Sequence, residues 1–135
     1  MKENCIFCKI VKKELPCVKI YEDSNTLAFL DISPVNFGHT LVIPKKHFRN
    51  ALDTPDKVIS KLFKIGKKIA KALRKNGAHG INISMNNEEA SGQSVFHTHM
   101  HIIPRFLNDG HKGWNNKKYK KGEADKIAQK IIQAL

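Results

Sequence analysis

Residues 94–104 read SVFHTHMHIIP and hold three of the chain's seven histidines, each two positions from the next. Apolar, aromatic and β-branched residues alternate with the imidazoles, which predicts a β-strand across this stretch. Because alternate residues of a strand point to opposite faces, His97, His99 and His101 are expected to share one face. The other face, towards the core, would carry Phe96, Thr98, Met100 and Ile102. Three imidazoles in register indicate a functional site rather than packing.

The chain has 135 residues, of which 41% are hydrophobic and 27% are charged, as in an ordinary globular protein. This length predicts a single domain over residues 1–135, with a core at about 4–105 and a tail and helix over 106–135. Because the sequence has no apolar run of about 18 residues, we expect no membrane span. The N-terminal residues include no apolar signal region, so a cytoplasmic protein is expected.

A formal net charge of +12 raises the question of a nucleic-acid partner. The lysines are scattered along a predicted helix over 57–75 and through the tail segment 112–121. Lysines on the outer face of a helix are usually solvated, and a basic surface also attracts small anions such as nucleotides. The charge is compatible with both interpretations, and no specific nucleic-acid binding is expected.

Short alternating segments and turn residues organise the rest of the chain. Apolar residues at every third or fourth position from Val58 to Leu73 predict one long amphipathic helix, which ends near Asn76-Gly77. A short helix is predicted within 3–15 and a C-terminal helix over 124–135. Four further strands are predicted over 18–22, 26–31, 39–44 and 81–86. About five strands, mostly neighbours in sequence, and one long helix predict an α+β fold with an antiparallel sheet.

Cys5 and Cys8 form a Cys-x-x-Cys pair, which is a favoured half-site for four-coordinate zinc. His47 and His97 are available to complete a Cys2His2 set. All three triad histidines could not share one ion, because at about 3.3 Å per residue His97 and His101 start roughly 13 Å apart. A zinc ion with four protein ligands has no open position and would be structural. A redox-active pair is the alternative, but no strand is predicted before it, as a thioredoxin-like arrangement requires.

His99 and His101 are left for chemistry. A neutral imidazole is a competent nucleophile towards phosphorus, and a covalent phosphohistidine divides one difficult displacement into two easier ones. The second histidine, about 7 Å along the strand, could hydrogen-bond phosphate oxygens. Gly92, Gln93 and Ser94 offer backbone, amide and hydroxyl donors just before the strand. No cluster of carboxylates suited to magnesium is apparent, so the site would work with imidazole and amide donors.

Several stretches together resemble the histidine triad (HIT) family of nucleotide hydrolases and transferases, in the Hint branch and its bacterial, zinc-containing form. Residues 97–103 match the motif His-φ-His-φ-His-φ-φ, where φ is apolar and Thr98 is a mild departure. The resemblance spans about 5–105 and includes NCIFCKI at 4–10, LAFLDISP at 27–34, GHTLVIPKKH at 38–47 and SGQSVF at 91–96. It implies the HIT α+β fold and a homodimer in which the long helices and central strands meet.

Carried over by position, the resemblance implies roles for many of these residues. His99 would be the nucleophile that forms a nucleotidyl-histidine. Four residues would assist it at the phosphate: His101, His39, Gln93 and Ser94. Asp31 would bind the ribose, and Asn86 would make a polar contact near the phosphate. Four residues would form the apolar walls of a purine pocket: Phe7, Ile10, Phe29 and Ile32. The zinc set, with one structural ion per chain, would be Cys5, Cys8, His47 and His97.

The favoured function is that of a purine nucleoside phosphoramidase or related nucleotidyl hydrolase, which would release a nucleoside monophosphate. A dinucleoside polyphosphate hydrolase is the nearest alternative, although Ser94 before the strand favours the Hint branch. A non-catalytic nucleotide-binding or scaffold protein would use zinc for stability and its lysines for an acidic partner. A catalytic zinc hydrolase would instead use His97 and His99 as metal ligands.

Overall fold

Residues 2–135 are described by a computed structural model, in which five strands and three α-helices form. The strands are β1 (Lys19–Glu22), β2 (Thr26–Leu30), β3 (Thr40–Pro44), β4 (Gly80–Ser84) and β5 (Met100–Arg105). The helices are α1 (Ile6–Val11), α2 (Asp56–Lys75) and α3 (Glu123–Ala134), with a short 3-10 turn at Glu89–Ser91. The predicted α+β class is confirmed.

The five strands form one antiparallel sheet in the order β1-β2-β3-β5-β4. Asp23 closes the first hairpin, because its Oδ1 accepts the amide hydrogens of Asn25 and Thr26, each at 2.9 Å. On the far side, β5 pairs with both β3 and β4, and Leu41 lies opposite His101. The last histidine of the triad is therefore held in the interior of the sheet, and β4 forms an edge.

Helix α2 covers one face of the sheet. Leu62, Ile65 and Ile69 recur along its buried side and pack against Ala28, Val42, Met100 and Ile102. Burial of each large aliphatic side chain contributes about 1.5–3 kcal/mol. Gly66 brings the helix close to β5, since a Cβ there would lie 2.9 Å from Cδ1 of Ile102.

The opposite face carries a second core beneath α1. It is made of two cysteines and five larger apolar residues: Cys5, Cys8, Phe7, Leu27, Phe29, Leu41 and Ile43. The strand positions of this core point away from α2, because side chains alternate across a strand. The three histidines of the triad motif, His97, His99 and His101, lie on this side of the sheet.

The strand predicted over 94–104 is wrong in its first half, because β5 begins only at Met100 and continues through Pro104 to Arg105. The preceding residues form an irregular loop whose backbone groups find other partners. The amide of Thr98 donates to the carbonyl of Phe48 at 2.8 Å instead of joining a strand ladder. Phe96, predicted to face the core, is 38% exposed, whereas Thr98, Met100 and Ile102 are buried as expected.

The tail after β5 lies on the surface, and the described residues of α3 include no buried side chain. Ile131 and Ile132 on this helix are each more than half exposed. Of the helices in the described part of the chain, none combines the length and hydrophobicity that a membrane crossing requires.

Candidate active site and metal cluster

Two cysteines and two histidines converge at the start of α1. Cys5 caps this helix and Cys8 lies almost one turn further on, so both thiols lie on one side. His47 follows β3, and His97 comes from the loop before β5. Sγ of Cys5 lies 3.5 Å from Nδ1 of His97, and Sγ of Cys8 lies 3.4 Å from Nδ1 of His47 and 3.6 Å from Nδ1 of His97.

These separations match a tetrahedral zinc site. Zinc bonds of about 2.3 Å to sulfur and 2.0–2.1 Å to nitrogen place the two ligand atoms roughly 3.6 Å apart. Nε2 of His97 lies 2.8 Å from the carbonyl oxygen of Pro44, so it carries the ring proton and leaves the Nδ1 lone pair facing the cysteines. Burial lowers the pKa of His97 to about 4, which keeps the ring neutral. These four residues can therefore hold a metal ion.

His99 presents a lone pair on one defined nitrogen. Its Nδ1 lies 2.6 Å from the carbonyl oxygen of His97, which can only accept, so Nδ1 carries the proton. The neutral ring then has an unprotonated Nε2. Burial lowers the pKa of His99, and the edge of Phe7 packs against the ring at a centroid distance of 5.3 Å. The geometry therefore favours the nucleophilic form at neutral pH.

His39 and His101 form a hydrogen-bonded pair whose proton positions are fixed in the same way. The amide of Val35 donates to Nδ1 of His39 at 3.1 Å, so His39 carries its proton on Nε2. That proton is donated to Nδ1 of His101 at 2.9 Å, which leaves the His101 proton on Nε2. Within residues 2–135 this buried Nε2 has no hydrogen-bond partner. Because the rings of His99 and His101 are 4.9 Å apart, a donor lies beside a nucleophile.

Both rings open onto a cavity of about 200 Å³. Its apolar side is formed by Ile6, Phe7, Ile10, Phe29, Ile32, Leu41 and Val95. Its polar side is formed by Asp31, Ser33, Ser94, His99 and His101. Ile32 lies at the rim and is 96% exposed, whereas Phe7 and Phe29 are buried and meet edge to face at 5.6 Å. The cavity suits a ligand with a flat apolar part and a polar, charged end.

Four predicted catalytic or binding residues lie outside this lining: His39, which reaches it only through His101, and Asn86, Gly92 and Gln93. Gln93 is buried, and its amide hydrogens go to the carbonyls of Arg49 at 2.7 Å and Val95 at 3.2 Å. Asn86 donates to the carbonyl of Gly92 at 3.4 Å. Their contacts favour a role in shaping the loop over a direct contact with a ligand.

A second group of potential metal ligands lies at the border of the cavity and fits a metal less well. Asp31, His39 and His101 place one ligand atom each within 4.8 Å of one another. The amide of Val35 donates to Nδ1 of His39, so Nε2 of that ring keeps its proton. A metal at this nitrogen would require the proton to move to Nδ1, where it would face another N–H. The hydrogen bonds therefore favour a hydrogen-bond relay here, in which His39 fixes the proton of His101 on Nε2 and no proton is transferred.

The groups that fix these proton positions could not be found by sequence reasoning. They are the amide of Val35 and the carbonyls of Pro44 and His97, and every residue carries such backbone groups. Four cavity residues were also missed: Ile6, Ser33, Leu41 and Val95. Their only signal was that they lie within the stretches that carry the resemblance.

Comparisons with known proteins agree with this geometry. A profile of the HIT domain matches residues 12–108. The chain is 44% identical over 102 residues to the adenosine 5'-monophosphoramidase hnt1 of Schizosaccharomyces pombe, which covers 76% of this chain and 74% of that protein.

Solved structures also resemble this chain over nearly its whole length. A HIT family protein from Bacillus subtilis has a TM-score of 0.89 and 46% identity, and the match covers 98% of each chain. A Zn-bound histidine triad family protein from Mycobacterium smegmatis has a TM-score of 0.78 and 36% identity, again over 98% of each chain. The second structure is similar to this chain in fold. In this chain, that fold brings the two cysteines and two histidines together.

Proposed function

This chain belongs to the HIT domain family, and from that premise we propose that it is a nucleotide hydrolase, most directly a purine nucleoside phosphoramidase. The observation that carries the proposal is an unprotonated Nε2 on His99 beside an N–H donor on His101, in one cavity. Displacement at phosphorus needs such a nucleophile and such a donor. The relative from Schizosaccharomyces pombe, named an adenosine 5'-monophosphoramidase, supports the same reaction.

In the first step, Nε2 of His99 attacks the α-phosphorus, and a P–N bond to the imidazole forms as the bond to the substrate amine breaks. The amine leaves and takes up a proton from solvent. The ring gains positive charge, which the hydrogen bond from Nδ1 to the carbonyl of His97 stabilises. Nε2–H of His101 and the hydroxyl of Ser94 donate to the phosphate oxygens, where negative charge accumulates.

In the second step, water attacks the phosphorus of the nucleotidyl-histidine. The bond between phosphorus and Nε2 of His99 breaks, and a nucleoside monophosphate leaves. The proton of the water passes to solvent, and His99 returns to its neutral form. His39 keeps the donor on His101 in place through both steps, because its own Nε2–H occupies Nδ1 of that ring.

The rest of the cavity suits the nucleoside. Phe7, Ile10, Phe29 and Ile32 would contact the purine, and a flat apolar ring gains most from burial against such side chains. Asp31, at the polar end, would accept hydrogen bonds from the ribose hydroxyls. Its Oδ1 already accepts the amide of Ser33 at 2.8 Å, which orients the carboxylate.

Zinc is the metal that the Cys5, Cys8, His47 and His97 set fits best, and its proposed role is structural. Bound there, a zinc ion would supply four bonds that join α1, the end of β3 and the loop over residues 92–99, which we call the catalytic loop. The Zn-bound relative from Mycobacterium smegmatis supports this choice. Thiol ligands remain reduced in a cytoplasmic compartment, which is where we place the protein.

A homodimer is the proposed assembly. β4 is an edge strand with one unpaired side. Beside it on α2, Phe63 is 51% exposed and continues an apolar stripe with Ile59 and Ala70. An open strand edge next to an apolar helix face is well suited to pairing with a second copy.

The test is turnover of an adenosine phosphoramidate by wild type and by His99→Asn. We expect wild type to release adenosine monophosphate and His99→Asn to release none above the rate without enzyme, while it still binds the monophosphate. His79→Asn is the control, because His79 does not line the cavity. Undiminished turnover by His99→Asn would reject the proposed nucleophile.

A dinucleoside polyphosphate hydrolase remains the second candidate, since the same nucleophile could displace a phosphate leaving group. Assay of diadenosine polyphosphates beside the phosphoramidate distinguishes the two, and a higher kcat/KM for the polyphosphates would favour the second. A nucleotide-binding protein without activity would bind the monophosphate and release no product from either substrate.

A further inference from the structure

Glu88, in the loop after β4, has a backbone conformation that residues with side chains rarely adopt. Its φ of 71° and ψ of 164° fall in a region populated almost only by glycine. A strained residue persists where surrounding contacts hold it, and such residues cluster at functional sites. The contacts of Glu88 therefore indicate what its strained conformation achieves.

The carboxylate of Glu88 binds the segment that follows His47. Its Oε2 accepts from Nη2 of Arg49 at 2.6 Å, and its Oε1 accepts from Nε of Arg49 at 3.1 Å, which makes a two-bond ion pair. Nδ2 of the buried Asn50 donates to the same Oε1 at 2.7 Å. The guanidinium of Arg49 also lies 4.4 Å from the ring centroid of Phe96.

The backbone of Glu88 binds the catalytic loop. Its amide donates to Oε1 of Gln93 at 2.8 Å, and its carbonyl accepts the amide of Gln93 at 3.2 Å. Nε2 of Gln93 in turn donates to the carbonyls of Arg49 and Val95. Glu88 and Gln93 therefore connect the same two segments, one through a carboxylate and the other through an amide.

The same series of hydrogen bonds reaches the nucleophile. The carbonyl of Val95 accepts the amide of His97 at 2.9 Å, and the carbonyl of His97 holds the Nδ1 proton of His99. We propose that Glu88 is a positioning residue, which fixes the carbonyl of His97 and thereby the reactive tautomer of His99. Its effect on turnover rests on the function proposed above.

This role makes stability and activity respond differently at position 88. The ion pair with Arg49 is about half exposed on both sides, and such surface pairs add little to stability. Glycine relieves the backbone strain but removes the acceptor of the buried Asn50 amide, and these two effects on stability are of similar size and opposite sign. Glu88→Gly should therefore melt close to the wild-type temperature and yet turn over more slowly.

The experiment compares Glu88→Gly, Glu88→Gln and the control Glu89→Gln, whose carboxylate has no hydrogen bond to any described residue. We expect kcat for an adenosine phosphoramidate to fall about tenfold in Glu88→Gly, while the Kd of adenosine monophosphate stays within about twofold. Glu88→Gln keeps an acceptor oxygen for Arg49 and Asn50 and should stay within about threefold of wild type. An unchanged kcat in Glu88→Gly, or a kcat loss accompanied by a lower Tm, would overturn the proposal.

A second measurement does not depend on activity. Long-range ¹⁵N–¹H NMR of the imidazoles reports which nitrogen of His99 carries the proton. We expect the Nδ1–H form in wild type and a mixture of both forms in Glu88→Gly. The same single form in both proteins would reject the role of Glu88. Failure of wild type to hydrolyse the phosphoramidate would reject the proposed function alone.

Discussion

At the scale of single residues, the three triad histidines differ because three backbone groups differ. The carbonyl of Pro44 places the His97 proton on Nε2, and the carbonyl of His97 places the His99 proton on Nδ1. The amide of Val35 acts through His39 to place the His101 proton on Nε2. These proton positions suit one ring to ligate a metal, one to act as a nucleophile and one to donate a hydrogen bond, as proposed above, although the motif treats them alike.

The relay from His39 to His101 can be tested with a matched pair of variants. His39→Leu removes the donor to Nδ1 of His101, so that ring can move its proton from Nε2 to Nδ1 and lose its donor to the phosphate. We expect kcat to fall by roughly 10²-fold. His39→Gln retains an N–H donor at this position and should lose much less. Steady-state kinetics on both variants checks this, and equal losses would contradict the relay.

The pH dependence of activity should reflect the burial of this pair. Burial, with His99 and His39 close by, lowers the pKa of His101 from its ordinary value of 6.5 to about 4. Burial also lowers the pKa of His39. Burial lowers the pKa of His99 as well. Since the site works when all three rings are neutral, kcat/KM should hold as the pH falls through 6.5 and decline below it, at the latest as the pH approaches about 4.

The same shift should appear in stability. The unfolded chain takes up the His101 proton near pH 6.5 and the folded chain near pH 4, so stability should fall as the pH drops across that window. A kcat/KM profile corrected for hydrolysis without enzyme, and Tm measured over the same range, check both statements. If kcat/KM instead fell with a midpoint at pH 6.5, the rings of His39 and His101 would be exposed to solvent, which would contradict the lowered pKa of His101.

At the scale of elements, α1 is a short helix whose position should depend on the proposed metal site, which is formed by Cys5, Cys8, His47 and His97. It has six residues, the side chain of its N-cap residue Cys5 makes no capping hydrogen bond to any described residue, and isolated helices of this length are unstable. The cluster joins its first turn to His47 and His97. Loss of the metal should therefore loosen α1, and with it Phe7 and the apolar wall of the cavity.

This dependence predicts the behaviour of cysteine variants. Metal analysis of wild type should find about one zinc ion per chain, and Cys5→Ser combined with Cys8→Ser should remove it and lower Tm. Cys17→Ser is the control, because Cys17 lies outside the cluster. Metal-free wild-type protein with an unchanged Tm would show that the cluster does not stabilise the fold.

Strands and helices were predictable where apolar periodicity was strong, as in α2 and in β3. The loop before β5 was not, because its alternating residues mimic a strand while its backbone groups bond to the side chain of Gln93 within the loop and to Phe48, which is distant in sequence. The two cysteines and two histidines of the proposed metal site could be named from residue type and spacing. The contacts of Gln93 could not, since an amide followed by serine and an apolar residue is compatible with binding a ligand or binding the backbone.

At the scale of the whole molecule, the surface left open by one copy argues for a second. Phe63 and Ile59 belong to the apolar stripe on α2, and such a stripe beside the open edge of β4 favours association. If two copies meet there, the β4 edges can pair across a twofold axis and join the two sheets. The catalytic loops would then be linked to one rigid frame through β5, which is hydrogen-bonded to β4.

Light scattering after size-exclusion chromatography should therefore give twice the chain mass of 15.3 kDa. Phe63→Glu buries a charge in the proposed interface, which costs several kcal/mol unless the charge is paired, so it should shift the protein to monomer. Lys64→Glu makes the control, because Lys64 is an exposed neighbour outside the apolar stripe. A dimer that survives Phe63→Glu would place the interface elsewhere. A monomer that keeps full kcat would show that each site works within one chain.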